Sequence, residues 1–386
     1  MRRAIRTITP LALVLSGLLL VAAACGGPAG TDSDGAADAE VADDVVLEAG
    51  PDSLPDGSPE ASPDAAPVAQ NVTLRDDLGA TPPCPDPDTC KADYLAFVEK
   101  AAGHARPTTE DAIHQALLAC DAGEVPLVPG PLPPDDLAAA IVDGLNIGFL
   151  QDGLDERPLT VTTIARTEAA DHVEEHLLLE DPWVGTFEGL LLTPPGPGPF
   201  PAVLALHGHG DSVWVYRDEY HGGEYPAHGL AILMLGLRVM GSGPPAMLEN
   251  DVAKKMLVQG FTLMGMRVYE SLLGFKLLNA LPRIDGTRVG LIGHSGGSST
   301  GNLTSRLERR LKAYVSDYQV AYVEWTRPYP FYHCETVPAL YPYSALINDP
   351  ATSEVPILKV PYKYTDGMDG IFAFFACHLR GSCDGT

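Results

Sequence analysis

The feature of this 386-residue chain that most constrains its fold is an apolar run that ends in glycines around one serine. Residues 288–292 have the composition of a buried strand and lead directly into Gly293-His294-Ser295-Gly296-Gly297. Flanking glycines let the backbone turn sharply without a Cβ clash. The spacing therefore predicts a strand that turns tightly into a helix and presents the Ser295 hydroxyl at the turn. An ordinary glycine-rich loop is the alternative.

From about residue 158 onwards the hydrophobic pattern alternates between strands and helices. Three opening strands are predicted to be antiparallel, over residues 159–165, 172–179 and 186–192. Apolar runs typical of strands buried in a sheet then follow at 201–206, 230–237, 289–292, 311–315 and 357–360. One long helical pattern fills residues 254–281. This alternation predicts an α/β fold with a mostly parallel central sheet flanked by helices.

Residues 84–157 are predicted to form a helical N-terminal region that covers part of the main domain. Ile113 and Leu117 fall on one face of a helix, and Pro133-Pro134-Asp135-Asp136 is typical of a helix start.

The first residues are predicted to be a targeting segment rather than part of the fold. A head with three arginines precedes a short apolar core over 11–21, and small residues then precede Cys25. The apolar core is too short for a membrane span. The pattern resembles a bacterial lipoprotein signal over residues 1–24, with a lipid attached to Cys25. An ordinary secretory signal with an incidental cysteine is the alternative. Both export the protein, and lipidation would hold it on the membrane surface of the cell envelope.

Residues 25–83 are predicted to be a disordered acidic tether. Residues 26–70 contain eleven acidic residues and no Lys or Arg, among many Ala, Pro, Gly and Ser. Such a segment cannot bury enough apolar surface to offset the entropy lost on ordering. The whole chain has a net charge of −26, and residues 71–386 alone still have −18. A globular part this acidic argues against nucleic acid as a partner. The membrane is expected as a partner only through the lipid.

Six further cysteines are an even number in an exported chain, which suggests disulfides. Cys84–Cys90 and Cys377–Cys383 are close enough in sequence to close local loops. That pairing would leave Cys120 with Cys334, although fifteen connectivities are possible. No C-x-x-C pair occurs, so zinc or redox use of these cysteines is not predicted.

Three segments together resemble the α/β-hydrolase superfamily, and within it the dienelactone hydrolases and acetylxylan esterases. They are the strand at 201–206 with His207-Gly208-His209-Gly210, Leu237-Arg238 with Gly241-Ser242-Gly243, and residues 282–297. The resemblance covers about residues 160–376. It implies an α/β-hydrolase domain over 158–386 that hydrolyses a small-molecule carboxylic ester through an acyl-enzyme, without a cofactor.

The resemblance also implies roles for individual residues. Ser295 matches the nucleophile, and the backbone N–H groups of Gly296 and His209 match the oxyanion donors. His207 matches a structural histidine, and His294 a spacer whose ring packs locally. The acid is expected after the strand at 357–360, where Asp369 fits the family pattern better than Asp366.

The catalytic histidine is the difficulty. In this fold the histidine follows the acid, normally after a further helix and strand. The histidine that follows Asp369 is His378, nine residues later. Either His378 reaches the site by an unusual route, or the C-terminus is incomplete or the histidine is missing. Since geometry rather than chain order defines a triad, His221, His228 or His333 could be recruited instead.

Two other functions remain open. A chain without a catalytic histidine would be an inactive α/β-hydrolase-fold surface lipoprotein with a binding role. A zinc-dependent hydrolase is a lesser alternative, because His207, His209 and Asp211 match the start of an H-x-H-x-D-H motif. Ser212 stands where the next histidine should be, so no metal site is predicted.

Overall fold

The computed structural model describes residues 71–81, 96–237, 245–317, 335–360 and 367–383. Within these ranges, nine strands form one sheet in the order β1-β2-β3-β4-β6-β5-β7-β8-β9. The strands are β1 (Val72–Asp76), β2 (Leu159–Glu168), β3 (Val173–Asp181), β4 (Gly185–Thr193), β5 (Phe200–Leu206), β6 (Ala231–Leu235), β7 (Ile284–His294), β8 (Tyr314–Asp317) and β9 (Ile357–Val360). Besides a helical segment at residues 96–100, the α-helices with both ends described are α1 (Glu110–Asp121), α2 (Pro134–Leu145), α3 (Gly148–Gln151), α4 (Val213–Glu219), α5 (Pro245–Val258), α6 (Leu263–Ala280), α7 (Gly296–Leu307), α8 (Ser344–Asn348) and α9 (Asp369–Arg380).

The sheet combines an antiparallel and a parallel part. β2, β3 and β4 pair antiparallel, and so do β4 and β6. From β6 through β5, β7 and β8 to β9 every pairing is parallel. The predicted α/β architecture with a mostly parallel sheet is confirmed. As a result, the carboxyl ends of β5, β7 and β8 lie side by side at one edge.

Both faces of the sheet are buried, which explains the continuous apolar runs. Along β5, Leu204 and Leu206 face one core and Val203 and Ala205 face the other. Helices α6 and α7 pack against the first face, and α4 and α9 against the second. The buried turn residues at the carboxyl edge are thus held between two helical layers.

The single helical pattern predicted over 254–281 is two helices in the structure. α5 ends at Val258 and α6 begins at Leu263. Gly260 lies between them with φ +77°, and a Cβ there would lie 2.2 Å from the carbonyl oxygen of Arg106. The Thr262 side chain then caps α6 by accepting from the N–H of Gly265 at 2.9 Å. The break thus comes from contact with the N-terminal region.

Two further expectations need correction. The tether predicted over 25–83 is too long, because Val72–Asp76 form edge strand β1, paired parallel with β2. Val72 is partly buried and the rest of β1 is exposed, in keeping with its position at the edge of the sheet.

The Cys377–Cys383 disulfide is confirmed. Cys120 is instead a buried free thiol on α1, so its predicted pairing with Cys334 is wrong.

The segments before and between these ranges contain several predicted features. Residues 1–70, Cys84, Cys90, Cys334 and Asp366 lie outside the described residues. In the part of the chain that the structure describes, no helix is both long and apolar enough to cross a membrane.

Candidate active site

The turn around Ser295 joins β7 directly to α7. Ser295 has φ 49° and ψ −117°, a left-handed conformation that is strained for a residue with a side chain and costs of order 1–3 kcal/mol. Its N–H donates to the carbonyl oxygen of Asp317 at 3.0 Å, and its own carbonyl accepts from the N–H of Ser299 at 3.0 Å. The side chain is partly exposed, although both residues on each side are buried. The turn therefore presents a hydroxyl at the carboxyl edge of a parallel sheet.

Two glycines allow this turn by close backbone contact. A Cβ at Gly297 would lie 2.1 Å from the carbonyl oxygen of Leu206, at the end of β5. A Cβ at Gly293 would lie 2.4 Å from the carbonyl oxygen of Gly297. Real Cβ atoms do not approach so closely, so both positions need glycine. Residues 293–297 are thus a strained strand–turn–helix, which excludes an ordinary loop.

The start of α7 supplies one potential anion-binding group. Gly296 is the first residue of α7, and the first N–H groups of a helix have no partner within it. These groups carry the positive end of the helix dipole. Gly296 N–H is therefore placed where it could stabilise negative charge that develops next to Ser295.

The loop after β5 crosses the Ser295 turn at Gly208. A Cβ at Gly208 would lie 3.1 Å from Ser295 Cβ, 2.7 Å from His294 Cδ2 and 3.0 Å from Asp211 Oδ2. His209 is the next residue, and it is partly exposed. The loop that carries the His209 N–H is thus in contact with the Ser295 turn.

His207 joins two strand ends and is structural. Its Nδ1 donates to the carbonyl oxygen of Gly208 at 2.8 Å, and its Nε2 accepts from the N–H of Leu237 at 3.0 Å. These two contacts fix the tautomer. Burial lowers the pKa of His207 to about 4, against a smaller opposing effect of the bond to Gly208. The ring is therefore neutral at pH 7 and holds the loop after β5 against the end of β6.

The structure places Asp369 and His378 on one helix, α9. Nine residues separate them, which is about 13 Å along a helix that rises 1.5 Å per residue. A carboxylate–imidazole hydrogen bond needs about 3 Å. Asp369 therefore does not orient His378, and the triad expected from chain order does not form.

His378 also lies far from Ser295. The next residue, Leu379, packs against Gly290, five residues before Ser295 on β7, which is about 16 Å along a strand. Arg380 Nη1 donates at 3.0 Å to the carbonyl oxygen of His228, just before β6 begins. The C-terminal end of α9 thus lies towards the amino edge of the sheet, opposite Ser295.

The sequence prediction missed a buried aspartate at the site. Asp317 ends β8, and its Oδ2 is hydrogen-bonded to Nδ1 of His294. The other ring nitrogen of His294, Nε2, is hydrogen-bonded to the hydroxyl of Tyr220 at 3.1 Å. His294 is therefore more than the packing spacer that the resemblance implied. Within the described ranges, no histidine ring is hydrogen-bonded to the Ser295 hydroxyl.

The zinc alternative lacks a gathered set of ligands. His207 uses both ring nitrogens on backbone groups. Among the described residues, no three His, Cys, Asp or Glu side chains are grouped closely enough to hold a metal ion. The geometry around 207–211 therefore fits a loop anchored by His207 better than a metal centre.

The strand order, the turn at Ser295 and the helices on both faces define the α/β-hydrolase fold, and a solved structure agrees. A Bacteroides fragilis protein that is provisionally named an acetyl xylan esterase aligns with a TM-score of 0.53 and 15% identity. The alignment covers 72% of this chain and 81% of that protein. An acetyl xylan esterase of Paenibacillus sp. R4 aligns with a TM-score of 0.45 and 12% identity, over 68% of this chain and 99% of its own. The fold assignment rests on the first.

Sequence comparison gives a weaker match. YtaP of Bacillus subtilis strain 168, provisionally named a hydrolase, is 29% identical over 178 residues, which are 43% of this chain. The chain spans 60% of the length of that relative. No protein-family model matches the chain.

Proposed function

We propose that this protein is a serine hydrolase that cleaves carboxylic esters through an acyl-enzyme. The observation that carries the proposal is the strained turn at Ser295, where φ is 49° between a buried strand and a helix. Strain of this kind persists where the surrounding structure imposes it, and it clusters at active sites. The names of the similar proteins, a hydrolase and acetyl xylan esterases, support ester hydrolysis and a small acyl group.

In the proposed reaction Ser295 Oγ attacks the ester carbonyl carbon, and the alcohol leaves to give an acyl-serine. The N–H groups of Gly296 and His209 donate to the oxyanion of the tetrahedral intermediate. A base must accept the Ser295 proton and return it to the leaving alcohol. Water then attacks the acyl-serine and releases the acid. Asp369 and His378 have no part in this proposal, because their helix separates them from each other.

Covalent labelling tests the nucleophile. A fluorophosphonate probe should label the wild-type protein, with the adduct mapped to Ser295 by mass spectrometry. Ser295→Ala should not label, and the exposed serine of Ser382→Ala provides a matched control that should label normally. Hydrolysis of p-nitrophenyl acetate should follow the same order. Equal labelling of wild type and Ser295→Ala would refute the proposal. A folded wild type that neither labels nor hydrolyses would favour the inactive binding protein.

The same labelling assay tests whether His378 is the catalytic histidine, as the chain order of the fold predicts. His378→Gln changes an exposed side chain on the far end of α9 and should leave the labelling rate within about twofold. A catalytic histidine would instead be worth about 100-fold or more. A large loss in His378→Gln would show that α9 is rearranged in the active protein.

The proposal includes export and lipid attachment at Cys25, on the grounds of the arginine-headed apolar segment and the small residues before that cysteine. In a bacterial host, a radiolabelled fatty acid should be incorporated into the wild type, which should fractionate with membranes. Cys25→Ser should lose both properties. A labelled Cys25→Ser protein would contradict lipidation at this position.

A further inference from the structure

Three buried polar side chains form a continuous hydrogen-bonded chain beside Ser295. Tyr220 is 4% exposed, His294 3% and Asp317 0%. The Tyr220 hydroxyl meets Nε2 of His294 at 3.1 Å, and Nδ1 of His294 meets Oδ2 of Asp317. The Tyr220 and His294 rings also pack with centroids 4.4 Å apart. We refer to these three residues as the relay.

The direction of the protons in the relay follows from its chemistry. With Asp317 ionised its carboxylate only accepts, so Nδ1–H of His294 is the donor of that bond. In the neutral form of the ring, Nε2 then carries the lone pair and accepts the O–H of Tyr220. This is the arrangement of a hydroxyl, an imidazole and a carboxylate in a catalytic triad, but a buried tyrosine occupies the place of the nucleophile.

The relay connects three segments that meet at the nucleophile. Asp317 is the last residue of β8, and its backbone carbonyl also accepts the N–H of Ser295 at 3.0 Å. His294 is the last residue of β7, immediately before the turn. Tyr220 directly follows α4, the helix that begins after the loop carrying Gly208 and His209. Asp317 therefore holds the turn through both its side chain and its backbone.

The relay also restricts the position of the loop with Gly208 and His209 relative to the Ser295 turn. His294 Cδ2 and Ser295 Cβ both lie against Gly208, at 2.7 and 3.1 Å from where its Cβ would be. A rotated His294 ring would displace this loop or the turn, because no space separates them. A 1 Å displacement of catalytic groups can cost about 100-fold in rate.

We propose that Tyr220, His294 and Asp317 are positioning residues that hold the Ser295 turn and the loop with the His209 N–H in register. The expected effect on catalysis rests on the proposed function. The relay acts through geometry, so its loss should lower kcat for p-nitrophenyl acetate and leave KM nearly unchanged. The three side chains are buried, which fits a positioning role rather than direct contact with a substrate.

Hydroxyl removal from Tyr220 is the mildest test. Tyr220→Phe keeps the ring packing and should lower kcat about 10-fold, with KM within about twofold. Tyr225→Phe is a matched control, since Tyr225 is fully buried and its hydroxyl has no hydrogen-bond partner among the described residues. That variant should retain wild-type kcat. Asp317→Asn removes the carboxylate and should lower kcat about 100-fold.

Proton NMR provides a readout that does not depend on activity. The wild type should show a downfield imidazole N–H resonance, assigned by its loss in His294→Gln. It should persist in Tyr220→Phe and disappear in Asp317→Asn. If Asp317→Asn fails to fold, Tyr220→Phe alone decides the kinetic prediction. Wild-type kcat in a folded Tyr220→Phe, or no His294 resonance, would overturn the relay. Failure of Ser295 to label would instead overturn the proposed function.

Discussion

Replacement of His207 by glutamine tests how burial of this ring couples folding to pH. Gln retains an acceptor for the Leu237 N–H but cannot titrate. The pKa of His207 is lowered from 6.5 to about 4 in the folded protein. Above pH 6.5 the ring is neutral in both states and contributes no pH dependence. As the pH falls from 6.5 towards 4, the unfolded chain binds a proton that the folded chain does not, so stability is lost across this interval.

The size of the effect follows from the same two values. Each pKa unit corresponds to about 1.4 kcal/mol, so the full loss is about 3 kcal/mol and the part lost by pH 5 is about 2 kcal/mol. Urea unfolding of wild type and His207→Gln at pH 7.5 and pH 5 gives the required double difference. Other titrating groups cancel because they are present in both proteins. Between the two pH values, wild type should lose about 2 kcal/mol more than the variant.

The result that would refute this reasoning is a double difference below about 0.5 kcal/mol with a clear two-state transition in all four measurements. His207 would then be protonated without cost in the folded state. Its two backbone hydrogen bonds could not both be present, because protonated Nε2 cannot accept from Leu237.

Three further substitutions and modifications have defined outcomes. Gly297→Ala places a Cβ 2.1 Å from the Leu206 carbonyl oxygen and should cost about 1–3 kcal/mol in thermal unfolding and abolish fluorophosphonate labelling; a labelled variant of unchanged Tm would contradict this packing. Cys377→Ser opens a disulfide between residues six apart and should lower stability by about 2 kcal/mol, whereas an unchanged urea midpoint would mean that the bond is absent in the native protein. Burial raises the pKa of Cys120 to about 11, leaving about one thiolate in a thousand at pH 8, so mass spectrometry should find it unalkylated by iodoacetamide until urea is added.

The sheet could be predicted from the sequence because its signal is local. Buried strands are continuous apolar runs whatever they pair with, and their alternation with helices fixes the parallel part. The break between α5 and α6 could not be predicted in this way. Gly260 looks like a tolerated glycine in a helical pattern until the Arg106 backbone, more than 150 residues away in sequence, is known to press against it.

The candidate site also contains features that could be predicted from the sequence and features that could not. The turn at Ser295 is encoded by neighbouring glycines and was recognisable. The error over Asp369 and His378 came from transferring a chain order, although Ile371, Phe375 and Leu379 have helical spacing that places the pair on one helix. Asp317 had a weaker signal, as an aspartate at the end of an apolar strand. Its role depends on β8 meeting β7, and spacing along the chain does not reveal that contact.

The strand that is hydrogen-bonded to the Ser295 turn from its outer side is short. β8 has four residues, and beyond it the sheet continues with β9, also of four residues. The Ser295 amide is bonded to the last residue of β8 rather than to its own strand. Opening of this outer pair would release the turn while the longer central strands stayed folded. The conformation of the Ser295 turn is thus tied to the integrity of the outer sheet edge, a unit smaller than the domain.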